Sequence, residues 1–399
     1  MATRYQQGGN ANRQTAKGVT LVFAQVLPVM AIVALFPAIP KLFEQFGSCP
    51  NAGLLVPMIV TMPSLCAALF APAAGWVADR FGRRPAFIFG IALYILAGIV
   101  PLFVDDLGII VASRAVLGLA DAFAITISSA LIGDYFGEQR YRWVAWTGAA
   151  TSIAGTALIA AGGILADISW RGPFAIYLLA VPLLIMAVAY IDEPVTQKTA
   201  AQTAKPSGFP WRAAAVIGSV TLVTSVIYYV EPLNIATVLA DKGAGSSTNV
   251  GFIQAATSLA YIAGAFLYRR LHEQSIGVLL GIAAALIGAG MIVIGLSDSY
   301  QAAAAGAAIQ QLGGGMIIPT LLAWGQAKLP FDQRGRGMGI WATAFFAGAF
   351  VCPPIVSALA AAADGLQPAI ILMGAIALVL AAAVFLFMGR ARNAAVAVQ

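Results

Sequence analysis

Long apolar runs, each near or above 20 positions, alternate with short polar stretches along the whole chain. A helix that crosses a bilayer core needs about 20 such residues. In the first part of the chain the runs predict helices over 17–39, 52–75, 85–104, 107–133, 143–166 and 173–191. In the second part they predict 212–239, 248–268, 276–296, 301–326, 337–362 and 367–388. The runs are continuous rather than alternating in segments of about ten, which excludes a transmembrane β-barrel. The longest polar stretch, 192–211, divides the twelve helices into six and six. The expected organisation is therefore a tail at 1–16, a six-helix half at 17–191, a linker at 192–211, a second half at 212–388 and a tail at 389–399. The fold class expected is an all-α membrane protein of twelve transmembrane helices in two six-helix repeats.

Composition strengthens this reading. Hydrophobic residues make up 60% of the 399 positions and charged residues 10%; mean hydropathy is +0.88. Soluble domains carry about 25% charged residues, and a single water-soluble core stops growing near 250–300 residues. The bilayer is the solvent for most of this chain. The first apolar run exceeds the h-region of a signal peptide, so it is expected to remain as a first helix.

The net charge of +6 is explained by where the charges lie. Of the 22 Lys and Arg, all but Lys41, Arg171, Lys242 and Arg114 fall in tails or loops on one side of the predicted helices. That bias marks the cytoplasmic side and puts both termini there; no nucleic acid is needed to account for it. Cys49, Cys66 and Cys352 are scattered, no CxxC occurs, and His272 is the single histidine. No metal site, disulfide framework or cofactor is expected. His272 lies in a predicted loop and is read as solvated.

Two internal matches support a repeat. Gly75–Arg80 ends the second helix, and Gly264–Arg269 ends the eighth 189 residues later, with Tyr268 in place of Asp79. Glu138-Gln139-Arg140 follows the fourth helix, and Asp332-Gln333-Arg334 follows the tenth 194 residues later.

The segment Gly75-Trp76-Val77-Ala78-Asp79-Arg80-Phe81-Gly82-Arg83-Arg84 resembles the loop signature of the major facilitator superfamily, and it sits between the second and third helices, as in that family. Helix count, orientation and repeat agree with the resemblance over the whole chain. Gly75 and Gly82 permit a tight turn. Asp79 is placed to bond the N-terminus of the eleventh helix near Gly337, where the helix dipole favours an anion; the resemblance implies that this contact steadies the outward-open state. Arg80, Arg83 and Arg84 are expected to pair with Asp134 and Glu138, or with anionic lipid. Arg114 and Gly118 resemble the family's second motif, from which Leu117 and Asp121 depart. Gly148, Gly155 and Gly162 recur at sevens on the fifth helix, and Gly162-Gly163 resembles the end of the third motif. The Gly-Pro of that motif is replaced by Leu158-Ile159.

Charged residues inside the spans are the candidates for coupling. A carboxylate such as Asp121 costs about 2.5–3.5 kcal/mol at mid-membrane on insertion scales, so such groups usually face a cavity or a partner. Arg114 lies seven residues earlier, about 10 Å away along the axis. A structural Asp–Arg pair and a proton-exchanging Asp121 are both open. Glu231 precedes Pro232, where the seventh helix is expected to break. Tyr228 and Tyr229 offer aromatic faces to a flat or cationic substrate. Gln25, Asn234, Gln254, Gln310 and Gln311 complete the candidate cavity.

The resemblance implies a secondary transporter working by alternating access, and the favoured expectation is a proton-coupled antiporter exporting a small organic compound or drug. Its partners are then that substrate, protons and the lipid bilayer; a monomer suffices for the cycle. The compact loops suggest a bacterial inner membrane. Uptake of a metabolite such as an organic acid, with Arg114 as anchor, is the rival reading. A membrane-embedded enzyme lacks a clustered nucleophile, base or metal set.

Overall fold

The computed structural model of the chain describes residues 2–137, 140–194, 209–329 and 334–396. Most of the expected linker lies outside these residues, as do Glu138, Gln139, Asp332 and Gln333.

The first crossing is a broken rod. α1 (Ala2–Ala24), α2 (Leu27–Val33), a 3-10 turn over Phe36–Ala38 and α3 (Ile39–Phe46) follow one another along one line. A single helix over 17–39 was expected. Pro28, Pro37 and Pro40 each remove a backbone donor, and the helix interrupts around them. Neighbours tie the broken rod down: the Tyr94 hydroxyl donates to Leu27 O at 2.8 Å and the Tyr177 hydroxyl to Ala31 O at 3.1 Å.

The next helices are long and regular. They are α4 (Ala52–Phe81), α5 (Arg83–Ile99), α6 (Leu107–Phe136) and α7 (Arg140–Ile168). The sixth crossing opens as a 3-10 helix over Gly172–Leu179 and continues as α8 (Ala180–Tyr190). Then come α9 (Trp211–Asp241), α10 (Ser247–Leu271), α11 (Ile276–Leu296), α12 (Tyr300–Lys328), α13 (Arg334–Ala362) and α14 (Leu366–Val396). Among the described residues eleven helical segments have the length and apolarity to cross a membrane. α12 is as long, at 29 residues, but Gln310, Gln311 and a run of glycines dilute it. Large apolar side chains such as Phe103, Ile153, Ile168 and Val379 point outward and are exposed, as lipid-facing residues must be.

The helices pack in two groups. α1 to α8 pack as one group and α9 to α14 as the other; the strongest contacts between the groups join α7 to α10 and α4 to α13. α9 runs unbroken through Pro232, contrary to the expected break. The proline removes the donor that would serve Tyr228 O one turn earlier, and the Gln310 side chain of α12 donates to that oxygen at 2.9 Å instead. With the orphaned carbonyl satisfied, the helix keeps its course.

One end of the bundle is rich in arginine. There Asp192 pairs with Arg13 at 3.0 Å and Lys17 at 2.8 Å, and Tyr135 donates to Asp192 O. The Lys17 ammonium hydrogen-bonded to Asp192 holds its carboxyl below the usual range. Glu193 caps α5, accepting from Arg83 N at 2.7 Å and Arg84 N at 2.8 Å. An anion at a helix N-terminus is favoured by the exposed amides and the dipole. At the opposite end Arg171 pairs with Asp105.

Candidate functional site

A cavity of about 350 Å³ lies between the two groups of helices. α7 contributes Thr151, Ser152 and Thr156; α9 contributes Tyr228 and Glu231; α10 contributes Gln254 and Tyr261; α12 contributes Gln311. Glu231 is buried, and the Gln311 side chain donates to its Oε2 at 2.6 Å. Thr156 and Ser258 meet across the cavity at 3.2 Å.

Toward the end away from the arginines the cavity is closed by backbone contact. A Cβ placed on Gly163 of α7 would lie 2.5 Å from Ser247 O and 2.9 Å from the Cα of Gly251, both on the α10 side. Only glycine lets the two helices meet this closely. The Asp167 carboxylate then caps α10, accepting from Ser247 N at 2.7 Å and Thr248 N at 2.8 Å. These two bonds join the first group of helices to the second. Gly162 meets α2's end, where a Cβ would fall 1.9 Å from Ala34 O; Gly148 faces open space. The heptad of glycines thus acts at one end only.

The expected cavity residues separate into two sets. Tyr228, Glu231, Gln254 and Gln311 line the cavity; the others are placed elsewhere. Gln25 sits at the break between α1 and α2 and donates to Ser128 Oγ at 2.8 Å and Ser129 Oγ at 2.7 Å, a tie to α6. Gln310 is committed to Tyr228 O. Tyr229 is buried against Phe345, with ring centroids 5.6 Å apart. Asn234 donates to Val230 O at 2.7 Å and faces a separate cavity near Pro353. Each was read correctly as polar or aromatic in a span, but its helix face turns it toward a neighbouring helix. Thr151, Ser152, Thr156, Thr257, Ser258 and Tyr261 were not anticipated, though Ser152 and Thr156 stand at i, i+4 on α7 and Thr257, Ser258 and Tyr261 follow Gln254 at i+3, i+4 and i+7 on α10.

Arg114 and Asp121 lie inside the first group and do not line the central cavity. Arg114 is fully buried, donates to Ala97 O at 2.7 Å and Gly98 O at 3.0 Å, and lies over the rings of Phe174 and Tyr177. It shows no ion pair with Asp121 among the described residues. Asp121 is 2% exposed and its Oδ1 has no hydrogen-bond partner. Arg114 thus serves carbonyls of α5 through Nη2, while its Nη1 has no hydrogen-bond partner.

The loop after α4 also departs from expectation. Asp79 is 73% exposed and lies 3.9 Å from Arg83 in its own turn; among the described residues it shows no bond to α13. Arg83 pairs with Asp134 as expected. Arg84 donates to Val188 O at 3.0 Å, and Arg80 lies over the rings of Trp76 and Phe81. Gly82, at φ 101°, makes the turn, and Gly75 packs toward Thr126.

The sequence matches the profile of the Major Facilitator Superfamily over residues 21–330 and again over 213–397. The chain belongs to the Major Facilitator Superfamily. It is a multi-pass membrane protein with a transporter fold. It is 30% identical over 228 residues to the drug efflux pump JefA of Mycobacterium tuberculosis, which covers 53% of this chain and 38% of the pump. It is 26% identical over 167 residues to the class B tetracycline resistance protein of Escherichia coli, covering 42% of this chain and 40% of that protein. The matched stretches thus span about two fifths of these relatives. Among solved structures, a bacterial homologue of the human lysosomal transporter Spinster, in an inward-facing and unoccupied conformation, superposes with a TM-score of 0.75. It is 13% identical and covers 95% of this chain and 97% of that one. The likeness is one of fold.

Proposed function

We propose that this superfamily member is a proton-coupled exporter of a small organic compound, working by alternating access between its two six-helix halves. One observation carries the reading. A cavity between the halves, sealed at one end by α7 and α10, holds a buried carboxylate, Glu231, within reach of a bound molecule. The arginine-rich end is the cytoplasmic side, with both termini there, in a bacterial inner membrane. The conformation is then open inward. The efflux relatives favour export, and the placing of Arg114 away from the cavity lining disfavours uptake of an organic acid anchored there.

Glu231 is the proposed exchange point. It holds a proton or a substrate, with Gln311 orienting its second oxygen. One proton moving inward through 100 mV supplies about 2.3 kcal/mol, enough for roughly a fifty-fold gradient of substrate. Asp121, enclosed in the first half, is a second site where a proton can reside. The test is flux in proteoliposomes under an imposed pH gradient. Wild-type protein drives uptake of an efflux substrate into acid-interior vesicles, and Glu231→Gln abolishes the pH dependence while leaving downhill exchange. Unchanged pH-driven flux in Glu231→Gln would remove Glu231 from coupling; flux insensitive to pH in the wild type would remove the proton.

A further inference from the structure

We infer that the compound carried in the central cavity is a lipophilic protonated amine, selected by Glu231 together with the rings of Tyr228 and Tyr261. The inference rests on the reading of this cavity as the substrate site.

Charge gives the first argument. Among the described lining residues Glu231 is the only acidic side chain, with no Lys, Arg or His beside it. Gln311 engages Oε2 alone, so Oε1 is left for a ligand. A charge in a poorly solvated site calls for an opposite charge. An anion brought to it meets repulsion that little water is present to screen.

The hydroxyl wall gives the second, independent argument. Thr151 donates to Thr147 O at 2.9 Å, Ser152 to Gly148 O at 2.9 Å, Thr257 to Gln254 O at 3.0 Å and Ser258 to Ala255 O at 2.7 Å. A hydroxyl has one hydrogen and two lone pairs. With the hydrogen given to the preceding helical turn, each oxygen is left to accept. Gln254, 5% exposed, has a carbonyl oxygen without a partner. The wall is thus supplied with acceptors. The donors in the lining are neutral, from Tyr228, Tyr261 and the amides of Gln254 and Gln311; an ammonium N–H finds a carboxylate and the hydroxyl oxygens, whereas a carboxylate or phosphate would find no cation.

Aromatic surface completes the site. The Tyr228 and Tyr261 centroids are 6.4 Å apart at 56°, and Phe345 stacks on Tyr228 at 6.3 Å. Such faces attract a cation lying within about 6 Å of the ring centre and accept the apolar body of the same molecule. The volume suits a small drug-sized compound.

The experiment uses three matched probes, phenylbutylamine, phenylbutanol and phenylbutanoate, which differ in charge and donor character. Binding to the purified full-length protein in nanodiscs is measured by calorimetry. The amine is expected to bind at least about tenfold tighter than the alcohol, and the butanoate weakest. Glu231→Gln is expected to reduce the amine to the affinity of the alcohol, and Glu231→Asp to keep the preference. Should Glu231→Gln fail to fold, Tyr261→Leu serves: it weakens the amine about threefold or more relative to the alcohol. Equal binding of amine and alcohol, tighter binding of the butanoate, an amine preference that survives Glu231→Gln, or one left undiminished by Tyr261→Leu overturns the inference. Binding does not require transport. Amine preference without pH-driven flux removes the transport reading alone, and flux of anions without amine preference removes this inference alone.

Discussion

The capping of α10 by Asp167 offers a direct measure of what holds one end of the molecule shut. The carboxylate accepts two backbone N–H bonds from the opposite half, at 2.7 and 2.8 Å. A hydrogen bond to a charged group contributes about 1.5–3 kcal/mol when shielded, and the helix N-terminus adds about 0.3–1 kcal/mol. Asp167 is exposed, so water competes and the lower ends apply; about 2 kcal/mol in total is a fair figure for the latch. At 1.4 kcal/mol per tenfold, Asp167→Ala should raise the ratio of open to closed molecules at this end by about thirtyfold. Asp167→Asn keeps one acceptor and loses the charge, and should give about fivefold. Spin labels at Phe103→Cys and Lys242→Cys, in a background with the native cysteines replaced by serine, report the separation across this end by electron–electron resonance. The expected outcome is a second, longer distance that grows in the order wild type, Asn, Ala. If the Ala variant shows the wild-type distance distribution, the two bonds do not hold the end closed, and the Gly163–Gly251 contact alone does.

Further outcomes follow from the same geometry. Gly163→Val should also open this end, because its Cβ would sit 2.5 Å from Ser247 O; the same label pair reads it, and an unchanged distance would show that α10 can shift to make room. Gln310→Leu should strip Tyr228 O of its donor and lower stability by about 1–2 kcal/mol. Pro232→Ala restores a backbone N–H to that carbonyl, so the double variant should lose less than the sum of the singles; additive losses in thermal midpoint would refute the account of why α9 stays straight. Asp192 is held below the ordinary carboxylate range by Lys17, so its contribution is present above the unfolded value near 3.9 and is lost as pH falls through the lower folded value. Acidification below about pH 4 should therefore cost wild-type protein more stability than Asp192→Asn, by less than about 1 kcal/mol since the pair is exposed; parallel acid-unfolding curves would count against it.

The sequence by itself determined what depends on length and side alone. Twelve rods follow from apolar runs long enough for a bilayer, and the arginine-rich end follows from where Lys and Arg punctuate those runs. The loop from Gly75 to Arg84 was legible only in part: Gly82 must turn and Arg83 finds Asp134, whereas Arg84 turns to Val188 O and Arg80 to the rings beside it. Glu231 and Gln311 were legible as polar groups in apolar helices. Their meeting in one cavity, and the exclusion of Gln25, Gln310, Asn234 and Tyr229 from it, were decided by tertiary structure. The helices here are apolar nearly all round, so no apolar stripe marks which face turns inward. Facing is set by neighbours far away in the chain. Gln310 reaches back 82 residues to the carbonyl that Pro232 orphans, and Asp167 reaches 80 residues forward to cap α10. Arg114 and Asp121 share one helix, yet the carbonyls of α5 claim the arginine. Partner choice of this kind belongs to packing in three dimensions, because hydrogen bonds unmet by one helix must be met by whichever helix stands beside it when no water is at hand.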